Sequence, residues 1–121
     1  MDFKTVKLGG KEYPIIFSAW VIDQIQEKSD DVEAELNRIL DSSKVKDMLW
    51  LLSLFLRGGY EGAKILGKET PEPPTFEQLM FLTSVTDFAS IGKAIREAVG
   101  TGEPDVKLED EKNLKATTPE A

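Results

Sequence analysis

Residues 44–59 read Lys44-Val45-Lys46-Asp47-Met48-Leu49-Trp50-Leu51-Leu52-Ser53-Leu54-Phe55-Leu56-Arg57-Gly58-Gly59. Their spacing is helical. Val45, Met48, Leu49, Leu52, Phe55 and Leu56 fall on one stripe, and Trp50, Leu51 and Leu54 fall on a second stripe on a different side. A surface helix needs only one apolar face. The segment therefore reads as a central helix that its neighbours wrap nearly all round. The competing expectation makes the second stripe a docking face for another protein or a second copy, with Trp50, Leu51 and Leu54 as anchors. Asp41-Ser42-Ser43 is expected to cap this helix, and Gly58-Gly59 to stop it with a left-handed C-cap.

On the N-terminal side, Ser18 is an N-cap for a helix over Ala19 to Lys28, with Trp20, Val21, Ile22 and Ile25 as its apolar side. Ser29-Asp30-Asp31 breaks that helix. Asp30 followed by Glu33 resembles a capping box and opens another, with Val32, Leu36, Ile39 and Leu40 at helical spacing. Before these, Phe3 to Leu8 and Lys11 to Phe17 are strand-like and flank Gly9-Gly10, a pair suited to a primed two-residue turn. The implied register faces Leu8 with Lys11, Lys7 with Glu12, and Val6 with Tyr13. Pro14 lacks an N–H and marks an edge strand.

On the C-terminal side, Tyr60 to Leu66 can add one or two helical turns before Gly67, and the prolines of Lys68 to Pro74 require a loop. Thr75-Phe76-Glu77-Gln78 is a capping box for a helix to about Leu82. Phe76, Met80 and Phe81 cluster on it and read first as core, with an adaptable binding surface as the alternative; Phe81 joins Trp50, Leu51 and Leu54 as a candidate partner-binding residue. A last helix covers Val85 to Val99, with Val85, Phe88, Ile91, Ile95 and Val99 as its buried stripe and Gly100 as its end. From Thr101 to Ala121, six acids and three lysines supply -3 of the net charge of -7. So polar a segment reads as a disordered tail. The expected fold is α+β and mainly helical: an N-terminal β-hairpin followed by about five helices in a domain of residues 1–100, then an acidic tail over 101–121.

Composition narrows the function. The chain of 121 residues has no cysteine and no histidine. Thiolate sites, cysteine nucleophiles, His-ligated zinc and Ser-His-Asp chemistry are all excluded. An enzyme working through carboxylates alone survives formally, but no spacing demands one, so the expectation is a non-enzyme without cofactors. Twenty-two acids against 15 lysines and arginines argue against phosphate-neutralising nucleic-acid binding and against docking on an anionic membrane. The longest apolar run, Met48 to Leu56, is too short to span a bilayer, which needs roughly 20 residues. The acids Asp30, Asp31, Glu33 and Glu35 lack the alternating ligands and central glycine of a calcium loop and suit a helix N-terminus instead. Gly58-Gly59-Tyr60-Glu61-Gly62 lacks the Gly-Lys-Ser/Thr ending of a phosphate loop.

Several phrases taken in order carry a resemblance. They are the hairpin ending Glu12-Tyr13-Pro14-Ile15, the helix opening at Ser18, the acidic-capped helix, the apolar helix running into Gly58-Gly59-Tyr60, the capped Thr75-Phe76-Glu77-Gln78-Leu79, and the closing Ala98-Val99-Gly100 with its polar tail. From about Phe3 to Gly100 the chain resembles the tail assembly chaperones of long-tailed bacteriophages and prophages of Gram-positive hosts. The resemblance implies a protein of the host cell cytoplasm, absent from the mature virion, that coats the apolar helices of the tape measure protein and recruits the tail tube protein, with self-association possible through the same surfaces. Many members of that family come as two products, the longer one made by a ribosomal frameshift near the end of the short reading frame. Glu111-Lys112-Asn113 can be encoded by adenines ending in a pyrimidine, a slippery sequence; the alternative reading of that stretch is an ordinary charged tail. The reading from another class is an acidic inhibitor or nucleic-acid mimic that binds a host enzyme.

Overall fold

The computed structural model describes residues 3–42 and 44–102; of the tail expected over 101–121, the first two residues belong to the last helix, and the rest, with the Glu111-Lys112-Asn113 phrase, lies outside the described residues. The chain opens with β1 (Lys4–Leu8) and β2 (Lys11–Ile15), continues through α1 (Ala19–Gln26), α2 (Val32–Ser42), α3 (Val45–Ile65) and α4 (Phe76–Leu82), and passes a short 3-10 turn (Val85–Asp87) into α5 (Phe88–Gly102). The architecture is α+β and mainly helical, as the residue pattern predicts.

The hairpin has the expected antiparallel register, with Val6 opposite Tyr13, Lys7 opposite Glu12 and Leu8 opposite Lys11. Gly9 and Gly10 both take positive φ, 56° and 83°, as a primed turn requires. Alternation then puts Val6, Leu8, Tyr13 and Ile15 on one face, and all four are buried. A two-stranded ribbon cannot stand alone in water. This one leans on two helices, with β2 against α3 and β1 against α5.

Helix α3 is the axis of the core. Leu49, Leu51, Leu52 and Phe55 on it are inaccessible to solvent, and α1, α2, α4 and α5 all pack on it. The Phe55 ring stacks on Phe17, with centroids 5.8 Å apart. The wrapped-helix expectation therefore holds, but the expected end does not. The helix runs through Gly58-Gly59 to Ile65. These glycines are needed for close approach rather than for a cap. A Cβ built on Gly59 would lie 2.0 Å from the Pro14 carbonyl oxygen, and one on Gly58 would lie 3.0 Å from Val21 Cγ2. The left-handed cap is Gly67, with φ 78°. Its N–H bonds the Lys64 carbonyl and that of Lys68 bonds Ala63, the paired bonds of a Schellman end.

Five further boundaries shift. Helix α1 ends at Gln26, two residues before the expected end. The residue that caps α2 is Asp31, whose Oδ1 accepts the Ala34 N–H at 3.1 Å, rather than Asp30. Helix α3 starts at an N-cap Lys44 with no side-chain cap, and the Ser42 hydroxyl instead accepts the Lys44 N–H at 3.2 Å. Val85 belongs to the 3-10 turn and is exposed, so the buried stripe of α5 is Ile91, Ile95 and Ala98, and the helix passes Gly100 to reach Gly102. Between helices, Arg38 bridges Glu35 at 2.6 Å and Asp47 of α3 at 3.4 Å, and Arg96 of α5 meets Asp41 of α2 at 2.9 Å.

Candidate functional site

The candidate residues Trp50, Leu51, Leu54 and Phe81 do not form one surface. Leu51 is 0% and Leu54 7% exposed, so both are core. Trp50 is half-buried against that core, with the Lys28 ammonium 4.3 Å from its ring centroid. This arrangement corrects the docking-face expectation for α3. Helices α1, α2, α4 and α5 cover its sides, so the second apolar stripe is spent inside the domain. Phe81 stands apart from the other three, 85% exposed.

Phe81 belongs to a ridge. The reciprocal capping box of Thr75 and Gln78 fixes the start of α4 (2.9 and 3.1 Å), and the Thr83 hydroxyl donates to the Leu79 carbonyl at its end (2.8 Å). Of the seven residues in α4 only Leu79 is buried. Phe76, Met80, Phe81 and Leu82 remain exposed, and Val85 in the following turn is 78% exposed. That turn is pinned by a second capping pair, with the Ser84 N–H bonded to Asp87 Oδ2 at 2.8 Å. Leu82 carries the ridge to the tip of the hairpin, where a Cβ added at Gly9 would lie 3.7 Å from Leu82 Cδ2.

A second apolar surface is concave. Ile16, Ala19 and Trp20 form one wall, and Gly58, Gly62, Ile65 and Leu66 the other, around a groove of about 650 Å³. Trp20 is 44% and Ile65 85% exposed. On the rim, Arg57 and Glu61 pair with each other at 3.0 Å, one helical turn apart. The sequence reading missed this groove because it exists only if α3 continues past Gly58-Gly59. The usable signal was Ala19-Trp20-Val21-Ile22, four apolar residues in succession, more than one face of a helix can bury. Val21 goes inward, and Trp20 is left out.

Large apolar side chains held open on a rigid frame suit contact with another apolar chain, and carry no bond-making chemistry. The strongest electrostatic feature lies elsewhere. The bidentate hydrogen bonds from Arg38 hold the Glu35 carboxyl below its ordinary value, and the same bonds raise the Arg38 guanidinium. That pair lies within α2, and the same guanidinium reaches Asp47 of α3 at 3.4 Å. Among the described residues, no three acidic groups come together as a metal site, and no helix is long and apolar enough to cross a membrane. Comparison with known proteins adds no relative: no family model, no curated protein and no solved structure matches the chain.

Proposed function

We propose that this protein is a non-enzymatic tail assembly chaperone of a long-tailed phage or prophage, which holds the tape measure protein in solution and brings tail tube subunits to it. The observation that carries this reading is the ridge of α4. Four apolar side chains of a seven-residue helix, Phe76, Met80, Phe81 and Leu82, lie open together with Val85. An exposed apolar patch on a small acidic domain is a place to seat a partner. An amphipathic helix that would otherwise aggregate presents the matching chemistry. The excess of acids keeps the free protein soluble while the patch is uncovered. The order of elements that resembles the chaperone family adds to this reading.

The test begins with the gene. The reading expects a neighbouring minus-one frame and, downstream, a very long helical reading frame among tail genes. Co-expression with the product of that long frame should give a soluble complex, and Phe81→Ser should return the long protein to the insoluble fraction. A gene remote from any such frame would sink the phage assignment. A soluble complex indifferent to Phe81→Ser would remove α4 from the binding surface.

A further inference from the structure

Sharing no lining residue with either surface, a further cleft lies where α1 meets the start of α2 and the last turns of α5. There Phe17, Ile22, Val32, Leu36 and Val99 surround a cleft of about 600 Å³. Leu36 is buried, whereas Phe17, Ile22, Val32 and Val99 are half-buried around it. The remaining lining residues are Gln26 and three acids, Asp30, Asp31 and Glu33. Among the described residues, no lysine or arginine lines the cleft. Asp31 is committed to capping α2. Neither Asp30 nor Glu33 enters an ion pair among the described residues. The dipole of α2 accounts for acids at its first turn. It does not account for an apolar hollow beside them.

We infer that this cleft receives a protein segment in which an apolar side chain is flanked by lysine or arginine. The hollow takes the apolar side chain, and the Asp30 and Glu33 carboxylates take the flanking cations. An apolar cavity alone would accept any hydrophobe, and an acidic rim alone would accept any cation. Their juxtaposition selects the segment that carries both, since burying the anchor brings its neighbours to unpaired carboxylates. This surface shares no residue with the α4 ridge, and the inference rests on its own observations rather than on the chaperone reading.

The probe is a leucine–lysine amphipathic peptide of about 15 residues, long enough to form a marginal helix. Its affinity for the full chain is measured by calorimetry and its footprint by amide chemical shifts. The Asp30→Asn/Glu33→Gln double variant should bind roughly fivefold more weakly, as two exposed charge pairs allow. The Glu69→Gln/Glu72→Gln double variant changes net charge equally, far along the chain, and should bind as the parent does. A leucine–glutamine peptide and an alanine–lysine peptide should both lose most of the affinity. Shifts should centre on Ile22, Val32 and Val99. Equal weakening in both double variants would reduce the effect to net charge and overturn the inference. So would undiminished binding of either control peptide, or a footprint on Trp20 and Ile65. The peptide series decides the matter even if the Asp30/Glu33 variant folds poorly.

Discussion

Gly59 sits in the middle of a helix, where glycine ordinarily weakens the backbone by about 1 kcal/mol relative to alanine. What holds it there is Pro14, whose carbonyl oxygen would lie 2.0 Å from an added Cβ. Backbone against backbone cannot yield as a side chain can, so Gly59→Ala should destabilise the domain by about 1–3 kcal/mol or more, despite the gain in helix propensity. Gly100 has open space around it and lies near the end of α5. Gly100→Ala should raise stability by up to about 1 kcal/mol. Urea unfolding of the two variants should move in opposite directions, and a neutral Gly59→Ala would refute the close approach of α3 to β2. The sequence could not distinguish these roles, since a glycine that ends a helix and one that admits a neighbour are the same letter. Only the contact with Pro14, 45 positions away, decides. Asp31 for Asp30 is a smaller miss of the same kind, in which two adjacent caps compete and backbone geometry selects one. The Glu35 carboxyl adds a pH term. Its folded-state pKa lies below the ordinary value of 4.5, chiefly through its hydrogen bonds from Arg38. The stabilisation is therefore complete above 4.5 and is lost as pH falls through the folded-state value. Glu35→Gln should flatten the stability profile on that acid side, and an unchanged profile would show that the pair does not persist in solution.

At the scale of elements, what is local was legible. The hairpin register follows from Gly9-Gly10 and the alternation around it, and the α4 start follows from Thr75 and Gln78 alone. Which side of a helix is covered is not local. Helix α3 carries two apolar stripes, and its neighbours decide whether the second faces water. Here they cover it, so Leu51→Ala should cost about 2–5 kcal/mol as a core truncation. Phe81 lies on a helix that contributes only Leu79 to the core, so the core reading of Phe76, Met80 and Phe81 fails and their side chains are left open. Phe81→Ser should change stability by no more than about 0.5 kcal/mol while reducing partner binding. Thermal unfolding beside a pull-down separates the two positions. A large loss of stability in Phe81→Ser would mean that the ridge packs inward in solution. Trp50 falls between these cases. Half-buried beneath Lys28, it should lose stability on truncation to alanine without any independent effect on binding.

At the scale of the whole molecule, two kinds of surface, one apolar and one apolar with an acidic rim, share one acidic frame. The α4 ridge reaches the closed tip of the hairpin through Leu82, while the Trp20 groove borders its open end at Ile16. The strand length between them, Lys4 to Leu8, corresponds to roughly 13 Å. A partner seated on the ridge would be held by excluding water from apolar side chains, a force that salt leaves intact or strengthens. The segment proposed for the cleft beside Asp30 and Glu33 would add charge pairs at an exposed rim, which salt screens over a Debye length of about 10 Å at 0.1 M. A nucleic-acid mimic would behave differently from the ridge, since its complex would depend on rows of carboxylates and would weaken steeply with salt. Titration of the purified complex with sodium chloride therefore reads the binding mode directly. A long helical partner held by the ridge should stay bound as ionic strength rises toward 1 M, where the screening length falls to about 3 Å, and Phe81→Ser should release it at any salt. The leucine–lysine peptide in the cleft should weaken roughly fivefold over the same range, as its charge pairs are screened. If the long partner instead leaves at moderate salt, its grip is electrostatic, and the acidic inhibitor would displace the chaperone as the reading of this fold.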